Sequence, residues 1–256
     1  MKVFFVGAGP GDPKLITLKG KEIIEEADII IYAGSLVNKK ILDYARSAKE
    51  QHDSAKMNLD EMVTVFKKAK DNNWNLARIH SGDPSIYGAI NEQMRELDKL
   101  GISYEVIPGV SSFQAAAAAL CQELTLPEVC QTITLSRISG RTPVPDKERL
   151  EVLAKSRSTL FLFLSISKLR EVMETISKEY GEKIPVAVVY RASWPDQKII
   201  KGDASNIVEK VEEEKITKTA LILIGEVLDQ KAKASLLYDK GFSHMFRESK
   251  TGAEVG

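Results

Sequence analysis

Cysteine and histidine are scarce in this chain of 256 residues, which contains two cysteines and three histidines. The spacing of Cys121 and Cys130 matches no zinc or redox motif, and we expect both to be packing residues. The histidines, His52, His80 and His244, lie far apart in the sequence, although folding could unite them. The sequence therefore offers no convincing set of metal ligands, and we expect no protein-bound metal.

Net charge and long apolar runs are also absent. Lysine plus arginine number 36, as do aspartate plus glutamate, so no global field attracts the chain to nucleic acid or to an anionic membrane. No apolar run approaches the roughly 20 residues that a membrane-spanning helix needs. The first predicted strand begins at Lys2, so we expect no secretion signal. These absences favour a soluble cytoplasmic protein.

Apolar runs of strand length alternate with amphipathic stretches of helical length, a pattern typical of a mostly parallel sheet with helices on its faces. In the first half we predict strands at residues 2–6, 28–32, 75–80 and 103–107, and helices at 13–27, 39–46, 59–71 and 85–100. In the second half we predict strands at 131–136, 159–164, 186–190, 198–201 and 219–224, and helices at 147–155, 168–180 and 206–214.

The turn Pro108-Gly109-Val110 is interpreted as a hinge between two α/β domains. The N-terminal domain is predicted over residues 1–110 with a mostly parallel sheet. The second domain is predicted over 111–247 with a mixed sheet, because residues 190–198 have the pattern of a strand, a turn and a returning strand. Residues 248–256 are expected to form a disordered tail.

A glycine-rich turn, Gly7-Ala8-Gly9-Pro10-Gly11-Asp12-Pro13, follows the first predicted strand. A dinucleotide-binding fingerprint needs glycine or alanine where Asp12 stands, and an acidic residue at the end of the second strand, which Asp28 instead begins. Pro10 also has no backbone N–H for a phosphate. The turn therefore disfavours a nicotinamide-dependent dehydrogenase and favours a zwitterionic or cationic ligand such as S-adenosylmethionine, which carries a sulfonium centre.

Three segments together carry a resemblance to a known family. They are the glycine-rich turn, the segment 78–88 with Ser81-Gly82-Asp83-Pro84, and the segment 108–112. In this order they resemble the motifs of the tetrapyrrole (corrin and porphyrin) methyltransferases, and the likeness extends over residues 1–247. The segments at 32–37, 137–145 and 190–196 are most similar to the branch that methylates C11 of precorrin-4 or cobalt-precorrin-4 in cobalamin biosynthesis.

The resemblance implies two α/β domains with S-adenosylmethionine in the cleft between them, a homodimer, and methyl transfer to a macrocycle rich in carboxylates. Any cobalt would arrive within that substrate. No general base is assigned, because the sulfonium already activates the methyl group and the protein has only to align the reactants and exclude water. Cofactor contacts are implied for Pro10, Ser81, Gly82, Asp83, Ile86, Ser111, Ser112, Leu164 and Ala192. Asp83 has a second interpretation, as a cap of the helix that follows it.

The carboxylates of the implied substrate need cations. The candidates Arg137, Arg141 and Arg191 lie in motif loops near predicted strand ends, and arginine suits bidentate carboxylate binding. The alternative is that these arginines are merely solvated. Tyr32 and Ser35, just past the second strand, are expected to line the substrate trough.

Other functions stay open beside this one. Proteins of the same fold act on another corrin or porphyrin carbon, on diphthamide or on ribosomal RNA ribose, and the neutral net charge weighs against RNA. A non-catalytic tetrapyrrole carrier is a further alternative, which would need no cofactor cleft. The expected partners are a small-molecule substrate and a second copy of the chain.

Overall fold

The computed structural model describes residues 1–140 and 142–229, together with Ser243, Met245 and Arg247. The chain divides into two compact units. The first contains Met1–Leu120 with Val189–Lys198, and the second contains Cys121–Val188 with the described residues after Lys198. The hinge predicted at residues 108–110 thus precedes the division between the units by one helix. The tail predicted at 248–256 lies outside the described residues.

Parallel strands form the sheet of the first unit. They are β1 (Val3–Gly7), β2 (Ile29–Tyr32), β3 (Glu50–Asp53), β4 (Leu76–His80) and β5 (Tyr104–Ile107). Their order is β3-β2-β4-β1-β5, and each neighbouring pair is parallel, which confirms the predicted arrangement. Gly7 lies opposite His80, and Val6 lies opposite Ile107. The strands β1, β4 and β5 therefore end at the same edge of the sheet. The edge strand β3 is an addition to the predicted strands.

The α-helices of the first unit are α1 (Leu18–Glu26), α2 (Leu59–Asp71), α3 (Asn91–Lys99) and α4 (Ser112–Leu120). Helix α2 has the predicted bounds, and a capping box explains its start. The side chain of Asn58 accepts the Glu61 N–H at 3.0 Å, and the Glu61 carboxylate accepts the Asn58 N–H at 2.7 Å. These two bonds satisfy backbone donors that a helix start otherwise leaves without partners.

Two helices predicted before α2 take a different form. The helix predicted at 13–27 is a 3-10 turn, Pro13–Leu15, followed by α1, because the side chain of Thr17 accepts a backbone N–H of the first turn of α1 and starts a new helix there. The helix predicted at 39–46 is a 3-10 helix, Lys39–Tyr44.

The helix predicted at 85–100 begins only at Asn91. Tyr87 and Ala89 have left-handed φ angles of 54° and 50°, which a right-handed helix does not allow. A Cβ on Gly88, which lies between them, would overlap a backbone carbonyl of the same turn. Residues 84–90 therefore form an irregular loop after β4, and the interpretation of Asp83 as a cap of α3 is wrong.

Both faces of the first sheet are buried. One face packs residues such as Val6 and Ile30 in one apolar cluster, and the other face packs Phe5 against Phe66 of α2 in a second cluster. Burial on both faces explains why these strands are continuous apolar runs in the sequence. The carboxyl ends of β1, β4 and β5 are thus supported by close-packed apolar residues on both faces of the sheet.

The second sheet contains β6 (Ile133–Ser136), β7 (Thr159–Leu162), β8 (Pro185–Tyr190), β9 (Lys198–Asp203) and β10 (Ala220–Ile224). Its order is β6-β7-β10-β8-β9. Strand β7 is parallel to β6 and antiparallel to β10, so the mixed sheet is confirmed. The hairpin between β8 and β9 groups with the first unit.

The α-helices of the second unit are α5 (Leu150–Leu153), α6 (Leu169–Tyr180) and α7 (Ile207–Glu213). The helix predicted at 147–155 is broken into α5 and two flanking 3-10 turns, Asp146–Glu148 and Ala154–Ser156. Helix α6 buries Val172 and Ile176. Among the described residues, no helix is both long enough and apolar enough to cross a membrane.

Candidate functional site

The loops after β1 and β4 are hydrogen-bonded to each other. The Ala8 N–H donates to the His80 carbonyl at 2.8 Å. Gly9 and Gly82 exchange two backbone bonds, from the Gly9 N–H at 3.2 Å and from the Gly82 N–H at 2.8 Å. The two predicted motifs therefore stay bonded to each other beyond the carboxyl ends of their strands. Their bridge is antiparallel, unlike the parallel pairing of β1 with β4.

Three glycines bring the backbones of three loops into direct contact. A Cβ on Gly7 would lie 2.7 Å from the Cα of Gly109 and 2.7 Å from the carbonyl oxygen of Gly82. Side chains do not tolerate such distances, so only glycine permits this approach. The loops after β1, β4 and β5 thus form one compact backbone surface.

Asp83 ties two of these loops together. One carboxylate oxygen accepts the Gly109 N–H at 2.8 Å, and the other accepts the Ser85 N–H at 2.8 Å and the Ser85 hydroxyl. Partial burial alone would raise the pKa of Asp83, but the bonds from Ser85 and Gly109 outweigh it and lower the pKa below its usual value. Asp83 is therefore an anion at neutral pH.

The glycine-rich turn has few backbone donors left for an anion. The N–H groups of Ala8 and Gly9 bond to β4 and its loop, and the Asp12 N–H donates to the Ser193 hydroxyl at 2.9 Å. Pro10 has no N–H. With the Asp83 anion on the adjoining loop, this geometry opposes a phosphate and favours a ligand that carries a positive charge.

The hairpin between β8 and β9 covers the turn. The indole N–H of Trp194 donates to the Pro10 carbonyl at 2.9 Å. A Cβ on Gly11 would overlap the indole ring, which explains the third glycine of the turn. Asn38 donates its side-chain N–H to the Gly11 carbonyl at 2.8 Å. Trp194 was not among the predicted site residues, and the glycine at position 11 was the signal for a close neighbour there.

The structure brings most of the predicted cofactor residues into the first unit. Pro10 lies in the turn after β1, Ser81, Gly82, Asp83 and Ile86 in the loop after β4, Ser111 and Ser112 at the start of α4, and Ala192 in the hairpin. Leu164 belongs to the second unit, where it follows β7 with a φ of 54° and a side chain that is 71% exposed.

Ala192 lies between two residues with strained backbone. It is buried, and its neighbours Arg191 and Ser193 both have left-handed φ angles, 46° and 69°. Two such residues around a single alanine are costly and are found where the surrounding structure enforces them, often at ligand sites. The strain fits the prediction that this backbone meets a ligand.

The predicted substrate residues fall into both units. Tyr32 ends β2 and is partly buried, while Ser35 is exposed in the loop that follows. This loop is fixed by the Gly34 N–H, which donates to the Asp53 carboxylate at 3.0 Å. Arg141 lies outside the described residues.

The other two predicted cations already have partners. Arg191 pairs with the Asp196 carboxylate at 2.6 Å, and its guanidinium lies 4.0 Å from the ring centre of Trp194. Arg137 donates to the carbonyls of Thr142 and Pro143, each at 3.0 Å. Each guanidinium has five N–H donors, so both keep donors for a second acceptor.

A buried polar layer below the site was missed by the sequence analysis. Arg78 is 6% exposed and donates to the Gln93 side chain at 3.1 Å, and burial lowers the pKa of Arg78 to about 10. His80 is 4% exposed, and its Nε2 has no hydrogen-bond partner among the described residues. Burial, followed by the charge of Arg78, lowers the pKa of His80 to about 3, so this imidazole is neutral at physiological pH.

Comparison with known proteins agrees with this site. The sequence profile of the tetrapyrrole (corrin/porphyrin) methylases matches residues 2–208. The chain belongs to this family. The prediction made from the three motifs is confirmed, and the backbone surface described above is the part of this tetrapyrrole methylase that contains them.

Two curated relatives of this tetrapyrrole methylase match along nearly their whole length. The cobalt-precorrin-4 C(11)-methyltransferase of Methanocaldococcus jannaschii is 57% identical over 97% of this chain and 96% of its own length. The precorrin-4 C(11)-methyltransferase of Pseudomonas aeruginosa is 46% identical over 96% of this chain and 99% of its own length.

The fold is also that of a solved member of the family. The X-ray structure of a cobalamin biosynthetic enzyme, cobalt precorrin-4 methyltransferase, superposes with a TM-score of 0.87 and 42% identity, over 89% of this chain and 96% of that one. Among the described residues of this tetrapyrrole methylase, no cluster of His, Cys, Asp or Glu side chains could hold a metal ion.

Proposed function

We propose that this tetrapyrrole methylase transfers a methyl group from S-adenosylmethionine to C11 of precorrin-4 or cobalt-precorrin-4, a step of cobalamin biosynthesis. The names of the two curated relatives support the acceptor carbon, and the name of the solved enzyme supports cobalt-precorrin-4 as the substrate. We also propose that the enzyme is cytoplasmic and that it forms a homodimer. The homodimer rests on family resemblance, and sedimentation analysis tests it.

One observation carries the choice of cofactor: the N–H groups of Ala8, Gly9 and Asp12 in the glycine-rich turn are already bonded, and the turn adjoins an ionised Asp83. A sulfonium and an ammonium, both present in S-adenosylmethionine, suit such a surface, whereas a pyrophosphate does not. The proposed cofactor contacts are Pro10, Ser81, Gly82, Asp83, Ile86, Ser111, Ser112, Leu164 and Ala192. The assignment of Leu164 rests on the family resemblance alone.

The protein's own contribution is binding, orientation and exclusion of water. The bound cofactor would supply an already activated methyl group and leave as S-adenosylhomocysteine. The macrocycle carbon is an electron-rich, enamine-type nucleophile, so no side chain has to generate a nucleophile by removing a proton. The rigid backbone surface formed by the three loops fixes the donor, and several kcal/mol of barrier lowering is within the reach of such alignment. We assign no general base.

The proposed substrate contacts are Tyr32, Ser35, Arg137, Arg141 and Arg191. Arg137 holds its own loop and Arg191 its own hairpin through part of their donors, and the remaining N–H groups can bind macrocycle carboxylates. Cobalt, where present, belongs to the substrate.

Calorimetry tests the cofactor. S-adenosylhomocysteine should bind and NADH should not. Asp83→Asn removes the charge at nearly constant shape. Loss of a charge-assisted hydrogen bond should raise the Kd for S-adenosylhomocysteine by about ten-fold. Asp71→Asn, which changes an exposed aspartate at the end of α2, is the matched control and should bind as wild type does. Equal affinity of Asp83→Asn and wild type would refute the role of Asp83.

Mass spectrometry with precorrin-4 and cobalt-precorrin-4 as acceptors tests the reaction. We expect a single methyl addition that depends on S-adenosylmethionine. Carbon-13 labelling of the methyl group and NMR then identify the carbon. A label at another position would favour a same-fold methyltransferase of different regioselectivity, and cofactor binding without transfer to either acceptor would contradict the proposed substrate.

A further inference from the structure

Trp194 touches the glycine-rich turn at its most constrained point. Its indole N–H donates to the Pro10 carbonyl at 2.9 Å, although the two residues are 184 positions apart in the sequence. Because proline has no N–H, this carbonyl is the only backbone hydrogen-bonding group of Pro10. The indole ring also occupies the space that a side chain on Gly11 would need.

Trp194 is itself held in place by its hairpin. The guanidinium of Arg191 lies 4.0 Å from the ring centre and is paired with Asp196 at 2.6 Å. The backbone N–H of Trp194 donates to the Arg191 carbonyl at 3.0 Å. The indole is therefore packed between a paired guanidinium and the backbone of the turn, which fixes its orientation.

A second bond joins the hairpin to the turn beside the first. The Asp12 N–H donates to the Ser193 hydroxyl at 2.9 Å, and the Ser193 N–H donates to the Gln197 side chain at 2.7 Å. The residues on both sides of Gly11 are thus attached to consecutive residues of the hairpin.

We propose that Trp194 is a positioning residue of the cofactor site, which holds Pro10 and Ala192 at the separation that the adenosyl cofactor needs. The inference rests on the proposed function, because it takes the turn and the hairpin as cofactor contacts. Trp194 acts through the two backbones and not through the transferred methyl group.

The physical reason is preorganisation. Pro10 and Ala192 belong to segments that are distant in sequence, and without the indole the turn samples conformations that do not bind. The affinity for the cofactor then falls in proportion to the fraction of molecules that keep the competent conformation. The rate at saturating cofactor should change little, because the occupied site is already ordered.

Trp194→Phe tests this inference, since it keeps an aromatic ring and removes the N–H. Titration calorimetry with S-adenosylhomocysteine should show a Kd about five-fold higher than that of wild type, the effect of one lost hydrogen bond. The KM for S-adenosylmethionine should rise similarly, with kcat nearly unchanged. Trp74→Phe is the matched control, because the Trp74 ring lies outside the site, with its centre 4.4 Å from the Lys49 ammonium. The Kd of this variant for S-adenosylhomocysteine should stay within about two-fold of the wild-type value.

Tryptophan fluorescence distinguishes a positioning role of Trp194 from a purely structural one, because only a positioning role predicts that cofactor binding changes the Trp194 emission. The chain has two tryptophans, so in Trp74→Phe all indole emission comes from Trp194. S-adenosylhomocysteine should shift this emission and reduce its quenching by acrylamide. NADH is the negative control.

The outcomes separate this inference from the function on which it rests. If wild type does not bind S-adenosylhomocysteine, the proposed function fails. If wild type binds it and a folded Trp194→Phe binds equally well, the positioning role is wrong. If Trp194→Phe does not fold, the fluorescence of Trp74→Phe decides. The inference is overturned if S-adenosylhomocysteine does not change the Trp194 emission of that variant.

Discussion

Two regions of the molecule differ in the sequence separation of the residues that hold them. The first contains the loops with most of the proposed cofactor residues, and the second is the loop that contains Arg137. In the first region, side-chain bonds to the glycine-rich turn join residues 181 and 184 positions apart. In the second region, Arg137 bonds to residues 5 and 6 positions further along, and Val144 bonds to Ser139, 5 positions back. The bonds to the turn depend on the completed fold. The bonds in the second region are mostly local, with one longer bond from the Ile138 N–H to the Ser165 hydroxyl at 3.0 Å, 27 positions along the chain.

This difference fits the two proposed ligands. A region built from distant backbones cannot change one part without disturbing the others, whereas a loop closed mostly by local bonds can be altered within a few residues. We therefore propose that affinity for the proposed cofactor depends on long-range packing and that selectivity for the proposed macrocycle depends on local sequence.

The largest effect is expected where the first region is most tightly packed. Gly109→Ala places a Cβ against the backbones of Gly7 and Gly82, neither of which can move independently. We expect a loss of about 3 kcal/mol in the free energy of unfolding, the upper range for overpacking, together with loss of S-adenosylhomocysteine binding. Urea denaturation and calorimetry measure the two effects.

The same change in the second region is the control. A Cβ on Gly140 would meet no atom of the described residues within 4 Å, and this glycine has no left-handed φ. Gly140→Ala should alter the free energy of unfolding by less than about 0.5 kcal/mol. Equal effects of the two substitutions would remove the basis for the comparison.

Acid is expected to destabilise the first region through His80. The pKa of His80 is lowered to about 3 by burial and by the charge of Arg78, whereas an unfolded histidine titrates near pH 6.5. Between these values the unfolded chain binds a proton that the folded chain excludes. The free energy of unfolding should therefore fall as the pH falls below about 6.5, by up to about 1.4 kcal/mol per pH unit from this group.

His80→Leu should reduce that acid sensitivity, measured by urea denaturation at about pH 7 and about pH 5. His52→Gln is the control, because His52 is a partly exposed neighbour of Glu50, and it should keep the wild-type pH dependence. A His80→Leu variant that loses stability with acid as steeply as wild type does would show that His80 is not the group responsible.

A small effect on stability is also expected for Arg137→Gln. Its bonds are local and partly exposed, so the free energy of unfolding should fall by less than about 1 kcal/mol. If Arg137 binds a macrocycle carboxylate, the KM for the acceptor rises several-fold while the Kd for S-adenosylhomocysteine stays constant. A change in the Kd instead would place Arg137 with the cofactor.

The parts of the fold and site that could be predicted are those encoded in consecutive residues. The buried strands, the capped helix α2 and the motif residues Ser81, Gly82 and Asp83 all depend on short patterns. Strand β3 was missed because Glu50–Asp53 contains no apolar residue and pairs only at the sheet edge. The start of α3 was misjudged because the left-handed φ angles of Tyr87 and Ala89 have no signature in residue type.

Contacts between distant segments could not be predicted. The bond from Trp194 to Pro10 and the burial of Arg78 beside a neutral Gln93 depend on the completed sheet. The partner of Arg191 could not be predicted either. Its residue type indicated a solvated or substrate-binding cation, whereas its pairing with Asp196 depends on the geometry of the hairpin.

The return of residues 189–198 to the first unit has a consequence for dissecting the molecule. A fragment that stops at Leu120 would retain the entire parallel sheet. It would leave the Pro10 carbonyl without its donor, the Trp194 indole N–H, and the Asp12 N–H without its acceptor, the Ser193 hydroxyl. We therefore expect residues 1–120 to need the hairpin at residues 189–198 for a complete glycine-rich turn, so the first sheet should not be expressed without it.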